Sequence, residues 1–339
     1  MSPSPDVVMD RRSVPAVAAP AAAAAAGEPA RVIPAHADRA LVEVLTPLRD
    51  RPFLLVQPGG NWGDFLIYRG LEHLADVLGL RWTATTFEDL PQAAITPDHV
   101  VYVHGSGGLN RWSSPRAIDG LRLALESPGR TVIQGPCTVE ADADFARDLA
   151  AAMVRAAAGK EFHFFAREHV THDLMAPVTA GAALHLNDDT AFYMPGSVLL
   201  QHRPRRTTYN LLALRRDPEA PDTRQGTLRG WVRLDPAYFG RSFGHWVEMH
   251  ARARRIITNR THSTIAGCIL GAPTTMLGNA YHKNRSIWEY SLARRGVAWG
   301  SLDDYDLRPR EAFPGATRLQ KSSWKMSLLV HWLQGVPVA

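Results

Sequence analysis

The chain has 339 residues, a formal net charge of +5 at pH 7, 45% hydrophobic and 21% charged residues, which is enough for two domains of ordinary globular composition. Its two cysteines, Cys137 and Cys268, lie far apart and outside any CxxC, which excludes a disulfide framework and favours a reducing, cytoplasmic setting. No stretch reaches the ~18 consecutive apolar residues of a membrane span; the mild basicity fits anionic substrates, an anionic membrane surface or nucleic acid, the last being the weaker option because no Lys/Arg block with interleaved aromatics is present.

Residues 1–36 read as a Pro/Ala-rich disordered tail. The run VPAVAAPAAAAAA at 14–26 follows two arginines, but its prolines and its lack of Leu or Phe argue against a signal sequence. From about residue 40 strands and helices alternate. PFLLVQ (52–57) reads as a strand, followed by PGGNWGD and a helix whose Ile67, Leu71, Leu74 and Leu78 fall on one face. HVVYVH (99–104) leads into GSGGLNRWSSP, with Ser114-Pro115 opening a helix through Leu125. TVIQG (131–135) precedes a helix at 143–158, EFHFFA (161–166) runs into Arg167-Glu168, and LHLNDD (184–189) closes the series. The pattern breaks at 195–206, PGSVLLQHRPRR, and restarts with a strand in TTYNLLALRRD (207–217). A helix at 241–254, strand 255–258, helix 263–270, strand 273–277, helix 284–295 and a last helix at about 316–334 follow.

Alternating strands and helices imply parallel sheets. The expected fold is therefore α/β, with two Rossmann-like domains over 37–200 and 207–339. Ligands of such sheets bind beyond the carboxyl ends of the strands, and in a two-domain arrangement the cleft between the domains collects those ends.

The residues that stand out all follow predicted strands. In GGNWGD, glycines permit close backbone approach and Asp64 starts a helix, either holding an anion at that helix end or capping it. Neither a GxGxxG fingerprint nor a Walker lysine is present. Gly105 to Gly108 form a second flexible loop. Arg167 directly follows an apolar run, and its planar fork suits a carboxylate or phosphate unless Glu168 pairs with it. In NRTHSTIAG, Arg260 and His262 sit at the start of a helix opened by small residues such as Ser263, where a partial positive charge, a full one and a group titrating near neutrality coincide. Lys283 and Arg285 follow a further strand and would join Arg167 and Arg260 in an anion-binding cluster, or form a solvated basic turn. Metal-ligand spacings and a GxSxG elbow are absent, so no metal is expected.

In this order the motifs resemble those of the polysaccharide pyruvyl transferase family, over roughly residues 52–292. The matching residues are Gly60-Asn61-Trp62-Gly63-Asp64, Gly105-Ser106-Gly107-Gly108, Arg167-Glu168, Asp189-Thr190-Ala191-Phe192, Arg260-Thr261-His262 with Gly271-Ala272-Pro273, and Tyr281-His282-Lys283. Thr261 stands where that family usually has Leu, and Asn259 where Asp is common.

The resemblance implies a fold similar to GT-B glycosyltransferases and transfer of a pyruvyl group from phosphoenolpyruvate to sugar hydroxyls on a polysaccharide or lipid-linked oligosaccharide. Phosphoenolpyruvate is then a co-substrate, and no cofactor is expected. Arg167, Arg260, Lys283 and Ser263 would hold this donor. His262 would move the proton and Arg260 would stabilise departing phosphate. Asn61, Asp64, Gly107, Gly108 and Asp189 would shape the loops or the acceptor side, with Trp62 and Trp112 available for sugar stacking. The competing readings are a GT-B nucleotide-sugar glycosyltransferase, for which no Glu-x7-Glu is evident, and a non-catalytic sugar-binding protein of the same fold.

Overall fold

The computed structural model describes residues 32–110, 114–177, 183–204, 206–220 and 228–307. The expectations for the tail before residue 32, for Trp112 and for the helix at 316–334 lie outside the described residues.

The N-terminal half opens with a short helix, α1 (Ala40–Leu45). It continues as β1 (Pro52–Gln57), α2 (Asp64–Leu78), β2 (Arg81–Thr86), β3 (Val100–Val103), α3 (Ser114–Glu126), β4 (Thr131–Cys137), α4 (Ala143–Ala156), β5 (Glu161–Ala166), α5 (His169–Met175) and β6 (Ala183–Leu186). After α6 (Gly196–Leu200), the C-terminal half runs β7 (Tyr209–Ala213), β8 (Trp231–Leu234), α7 (Pro236–Phe239), α8 (Phe243–Ala251), β9 (Ala253–Thr258), α9 (Thr261–Ile269), β10 (Thr274–Leu277), α10 (Lys283–Ile287) and β11 (Ala298–Gly300). The chain is thus α/β with two sheets, ordered β2-β1-β3-β4-β5-β6 and β11-β10-β9-β7-β8. The pairings in both are parallel.

The apolar runs became central strands because helices cover both faces of a parallel sheet, so both side-chain sets are buried. Leu54, Val56, Val101 and Val103 join α3 and α4 residues such as Leu121, Leu125 and Leu149 on one face, while Phe53, Leu55 and Tyr102 join Leu41, Leu71 and Leu74 of α1 and α2 on the other. Three strands were not anticipated. β2, RWTATT, lies at a sheet edge with its side chains exposed or half-buried and none fully buried, so it carries no apolar run. β8 and β11 are edge strands of four and three residues, too short for a periodic signal. β9 begins at Ala253, two residues before the expected strand, and α8 ends at Ala251 rather than 254. The helix expected at 284–295 is α10 continued by a π turn at Trp288–Leu292 and a 3₁₀ turn at Ala293–Arg295.

In each sheet the strand order reverses once. β1 and β2 run to one side while β3 lies on the other, and β7 and β8 stand in the same relation to β9. The loops at such switch points diverge and leave a crevice at the carboxyl ends of the strands. The described residues of the loops concerned are 58–63, 104–110, 214–220 with 228–230, and 259–260. The two halves share one apolar cluster, in which Leu66, Ala191 and Phe192 pack with Trp246, Ile256 and Ile265. Among the described residues no helix is long and apolar enough to cross a membrane.

Candidate functional site

The loop after β1 is shaped by its own polar groups. Gly60 has φ +128°, a conformation that favours glycine, and a Cβ there would fall onto the Asp64 carboxylate. Asp64 bends back to accept from Asn61 N (2.8 Å), and Asn61 Oδ1 accepts from Gly63 N (2.9 Å). Asp64 therefore does not cap α2, and its other oxygen is left facing the second half of the molecule. There it meets His262: Asp64 Oδ1 lies 3.5 Å from His262 Nδ1. Gly63 lacks a side chain where one would press on the His262 Cβ at 3.0 Å.

The opposite ring nitrogen of His262, Nε2, faces Asp189 Oδ2, also at 3.5 Å. Asp189 follows β6, accepts from Ala191 N (2.9 Å) through Oδ1, and receives Arg167 Nη1 at 2.6 Å on Oδ2. Burial alone would raise the Asp189 carboxyl, but His262 and Arg167 outweigh it and hold it well below the usual carboxylate range. Arg167 is 1% exposed, and its Nε donates to Thr138 Oγ1 (2.9 Å). Asp189, not Glu168, is thus the partner of Arg167. Glu168 follows it in the chain and turns away, capping α5 at Thr171 and accepting from Ser286 Oγ (2.5 Å).

The third nitrogen of Arg167, Nη2, makes no hydrogen bond to the described residues and lies over Gly107. A Cβ at Gly107 would sit 3.1 Å from Arg167 Nη2 and 3.1 Å from Lys283 Nζ. Lys283 opens α10, is buried, and pairs with Glu219. Burial, with help from Arg215 and Arg167, lowers the Lys283 ammonium to about 8 despite the opposing pull of Glu219. Gly108 N is held by Ser106 Oγ (3.0 Å), and Asn110 Nδ2 donates to Gly107 O (2.6 Å), so this loop too is fixed from within.

Arg260 precedes His262 but points elsewhere. Its Nε and Nη2 fork onto Asp235 at 3.0 and 2.7 Å, and Nη1 meets Asp217 at 2.8 Å. Asp217 and Glu219 are both gripped by Arg215, at 2.7 and 2.6 Å. A row of alternating charge therefore runs from Asp235 through Arg260, Asp217, Arg215 and Glu219 to Lys283, and ends beside Arg167 at Gly107. Arg215, Asp217, Glu219 and Asp235 were not singled out in the sequence. Arg215 carried the same signal as Arg167, a cation directly after an apolar run; Asp235 follows the unanticipated β8.

The two departures from the family pattern have partners. Asn259 Oδ1 accepts from Arg215 N (2.8 Å), and Thr261 Oγ1 donates to Asn284 Oδ1 (2.9 Å). Ser263 is buried within α9. Arg285 does not join the cluster: it is exposed, pairs with Glu289 (2.6 Å) and lies over Trp288 and Trp299. Trp62 packs on Phe65 and donates to Gly240 O (2.8 Å), which joins the two halves beside the site.

No protein-family model and no curated protein matches the chain. Among solved structures it is similar to a functionally uncharacterized protein from Klebsiella pneumoniae, with a TM-score of 0.59 at 17% identity over 77% of this chain and 96% of that one. At that identity the likeness is one of fold.

Proposed function

We propose that the chain transfers the pyruvyl group of phosphoenolpyruvate to two hydroxyls of a sugar in a polysaccharide or lipid-linked oligosaccharide, with a GT-B-like pair of domains and the site in the cleft between them. The observation that carries this reading is the pair of buried cations, Arg167 Nη2 and Lys283 Nζ, converging over the bare backbone of Gly107, within one residue contact of a histidine flanked by Asp64 and Asp189. A small, highly charged donor needs cations in fixed directions where water is scarce. The order of motifs, which resembles that of the polysaccharide pyruvyl transferases, supports the same assignment.

In this mechanism His262 gives a proton to C3 of phosphoenolpyruvate, and the methylene becomes a methyl group. C2 becomes electron-poor, and a sugar hydroxyl oxygen bonds to it while its proton returns to His262. The C2–O bond to phosphate breaks, with Arg167, Lys283 and Arg260 stabilising the departing anion. A second hydroxyl bonds to C2, its proton leaves with phosphate, and the products are a cyclic ketal and inorganic phosphate. Asp64 and Asp189 fix the His262 ring at both nitrogens. Arg260, held by Asp235, reaches the phosphate through Nη1 when Asp217 yields.

Calorimetric titration with phosphoenolpyruvate, and separately with UDP- and GDP-sugars, tests the donor without knowledge of the acceptor. Wild type is expected to bind phosphoenolpyruvate, and Arg167→Met, Arg260→Ala and Gly107→Val to lose that binding; Gly107→Val, which strands no buried carboxylate, separates loss of the site from the stability cost of leaving Asp189 or Asp235 unpaired. Nucleotide-sugar binding with no response to phosphoenolpyruvate would make the chain a glycosyltransferase instead.

A further inference from the structure

The end of the C-terminal sheet opposite the site carries a second concentration of charge that the reaction does not use. The amino ends of β7, β8, β9 and β10 emerge there. The segments leading into them hold Arg203 and Arg206 before β7, Arg229 before β8, and Arg252, Arg254 and Arg255 at β9. Arg203, Arg206, Arg229, Arg254 and Arg255 are exposed, and none of the five makes an ion pair among the described residues. Arg203 Nη1 donates to Leu270 O (3.0 Å) at the end of α9, and Arg254 Nε to Thr207 O (3.2 Å). These bonds orient the guanidinium groups and leave their charge uncompensated. The acidic neighbour is Glu248, already taken by Arg252 at 2.5 Å. A shallow depression of about 710 Å³ lies within this face, lined by Leu200, Arg203, Pro204, Arg206 and Thr207. Leu200 at its rim is 40% exposed.

We propose that this face docks on an anionic lipid leaflet, with the arginines on lipid phosphates and Leu200 at the headgroup boundary. Five cations without an ion-pair partner among the described residues repel one another at one end of a sheet, a cost that the two backbone hydrogen bonds of Arg203 and Arg254 do not require, since an uncharged donor would make them as well. A negatively charged leaflet attracts each of them with roughly fivefold in partition coefficient, at about 1 kcal/mol per basic residue near the surface. An exposed aliphatic side chain within the basic patch is what an interfacial contact adds to charge alone. No aromatic residue is among the exposed large hydrophobics of this face, and Trp231 at the start of β8 is partly buried against the core, so the open platforms that single-stranded nucleic acid stacks on are not presented by the described residues. β7 and β9 are five and six residues long, so the site end of the sheet stands roughly 20 Å farther from the leaflet at about 3.3 Å per residue. The proposal is independent of the donor chemistry.

The test is co-sedimentation of the full chain with phosphatidylglycerol vesicles and with phosphatidylcholine vesicles, at low and at 0.5 M salt. The expected result is binding to the anionic vesicles alone, lost at high salt. Arg206→Glu/Arg255→Glu is expected to weaken it at least tenfold, with an unchanged melting temperature. Arg229→Glu/Arg254→Glu provides a second, non-overlapping variant should the first fail to fold. Equal binding to both vesicle types, no binding to either, or undiminished binding by a folded variant overturns the proposal. So does tighter binding to a short duplex RNA at the same salt, abolished by the same substitutions, which would make the face a nucleic-acid surface.

Discussion

At the scale of single residues, the proposed chemistry rests on Lys283 and His262. Lys283 titrates at about 8 in the free protein because burial penalises its charged form. Deprotonation removes one of the two cations over Gly107, so donor affinity is present below that value and declines above it. The Kd for phosphoenolpyruvate, measured by calorimetry, is expected to be flat between about pH 7, where the donor's own phosphate is fully ionised, and about pH 8, and to weaken by up to about tenfold per pH unit above that. Lys283→Arg should abolish that dependence, and a wild-type Kd constant to pH 10 would remove Lys283 from the donor site. His262 sits 3.5 Å from a carboxylate on either side. His262→Gln should keep donor binding and lower the rate of phosphate release by about 10²–10⁴-fold. Residue types were the easiest part of the site to read. Arg167, Arg260, His262 and Lys283 each follow an apolar run, where a charge is out of place unless something needs it. Their partners were not readable, because Asp189, Asp235 and Glu219 are 22, 25 and 64 residues away from the cations they hold.

At the scale of elements, α2 determines how Asp64 and Asp189 are brought to the same histidine. It packs directly on the 3₁₀ turn Thr190–Tyr193, and Thr190 Oγ1 donates to Ile67 O (3.0 Å). That approach needs Gly70, where a Cβ would fall onto the Thr190 carbonyl. Gly70→Ala is therefore expected to destabilise the fold by about 1–3 kcal/mol through overpacking, measured by denaturant unfolding. It should also weaken donor binding, since the shift would carry Asp189 away from Arg167. A fully stable variant with unaltered binding would show that this packing does not position the site. The helical period of Ile67, Leu71 and Leu74 was enough to place α2 and its apolar face. It gave no reason for the glycine on the same helix, because a close approach is a property of two surfaces.

At the scale of the whole molecule, the halves are joined by charge as well as by the shared apolar cluster. Asp188, fully buried beside Asp189, receives Arg294 at 2.8 Å and Arg295 at 2.5 Å from the end of the C-terminal helical segment. Asp38 takes Arg294 (2.8 Å) and Tyr290 (2.5 Å) on the same side. Arg295→Met leaves a buried carboxylate short of a partner and should cost about 3 kcal/mol. Because this clamp lies one residue from Asp189, the loss should appear as separate unfolding of the two halves in calorimetry. A single transition at the wild-type temperature would show that the apolar cluster alone unites them.

The sequence by itself determined the central strands, the longer helices and the sheet class. Uninterrupted apolar runs can be satisfied only by strands covered on both faces, and 3.6-residue periods only by helices that cover them. It also placed the cations and glycines of the proposed site after strands, at the carboxyl ends of a parallel sheet. The tertiary structure alone decided which side chains meet. It set Asp189 rather than Glu168 against Arg167, turned the Arg260 fork onto Asp235, removed Arg285 from the cluster and recruited Arg215. Those outcomes depend on strand order and on the packing of one half against the other. Both are set by contacts between residues far apart in the chain, for which local pattern carries no signal.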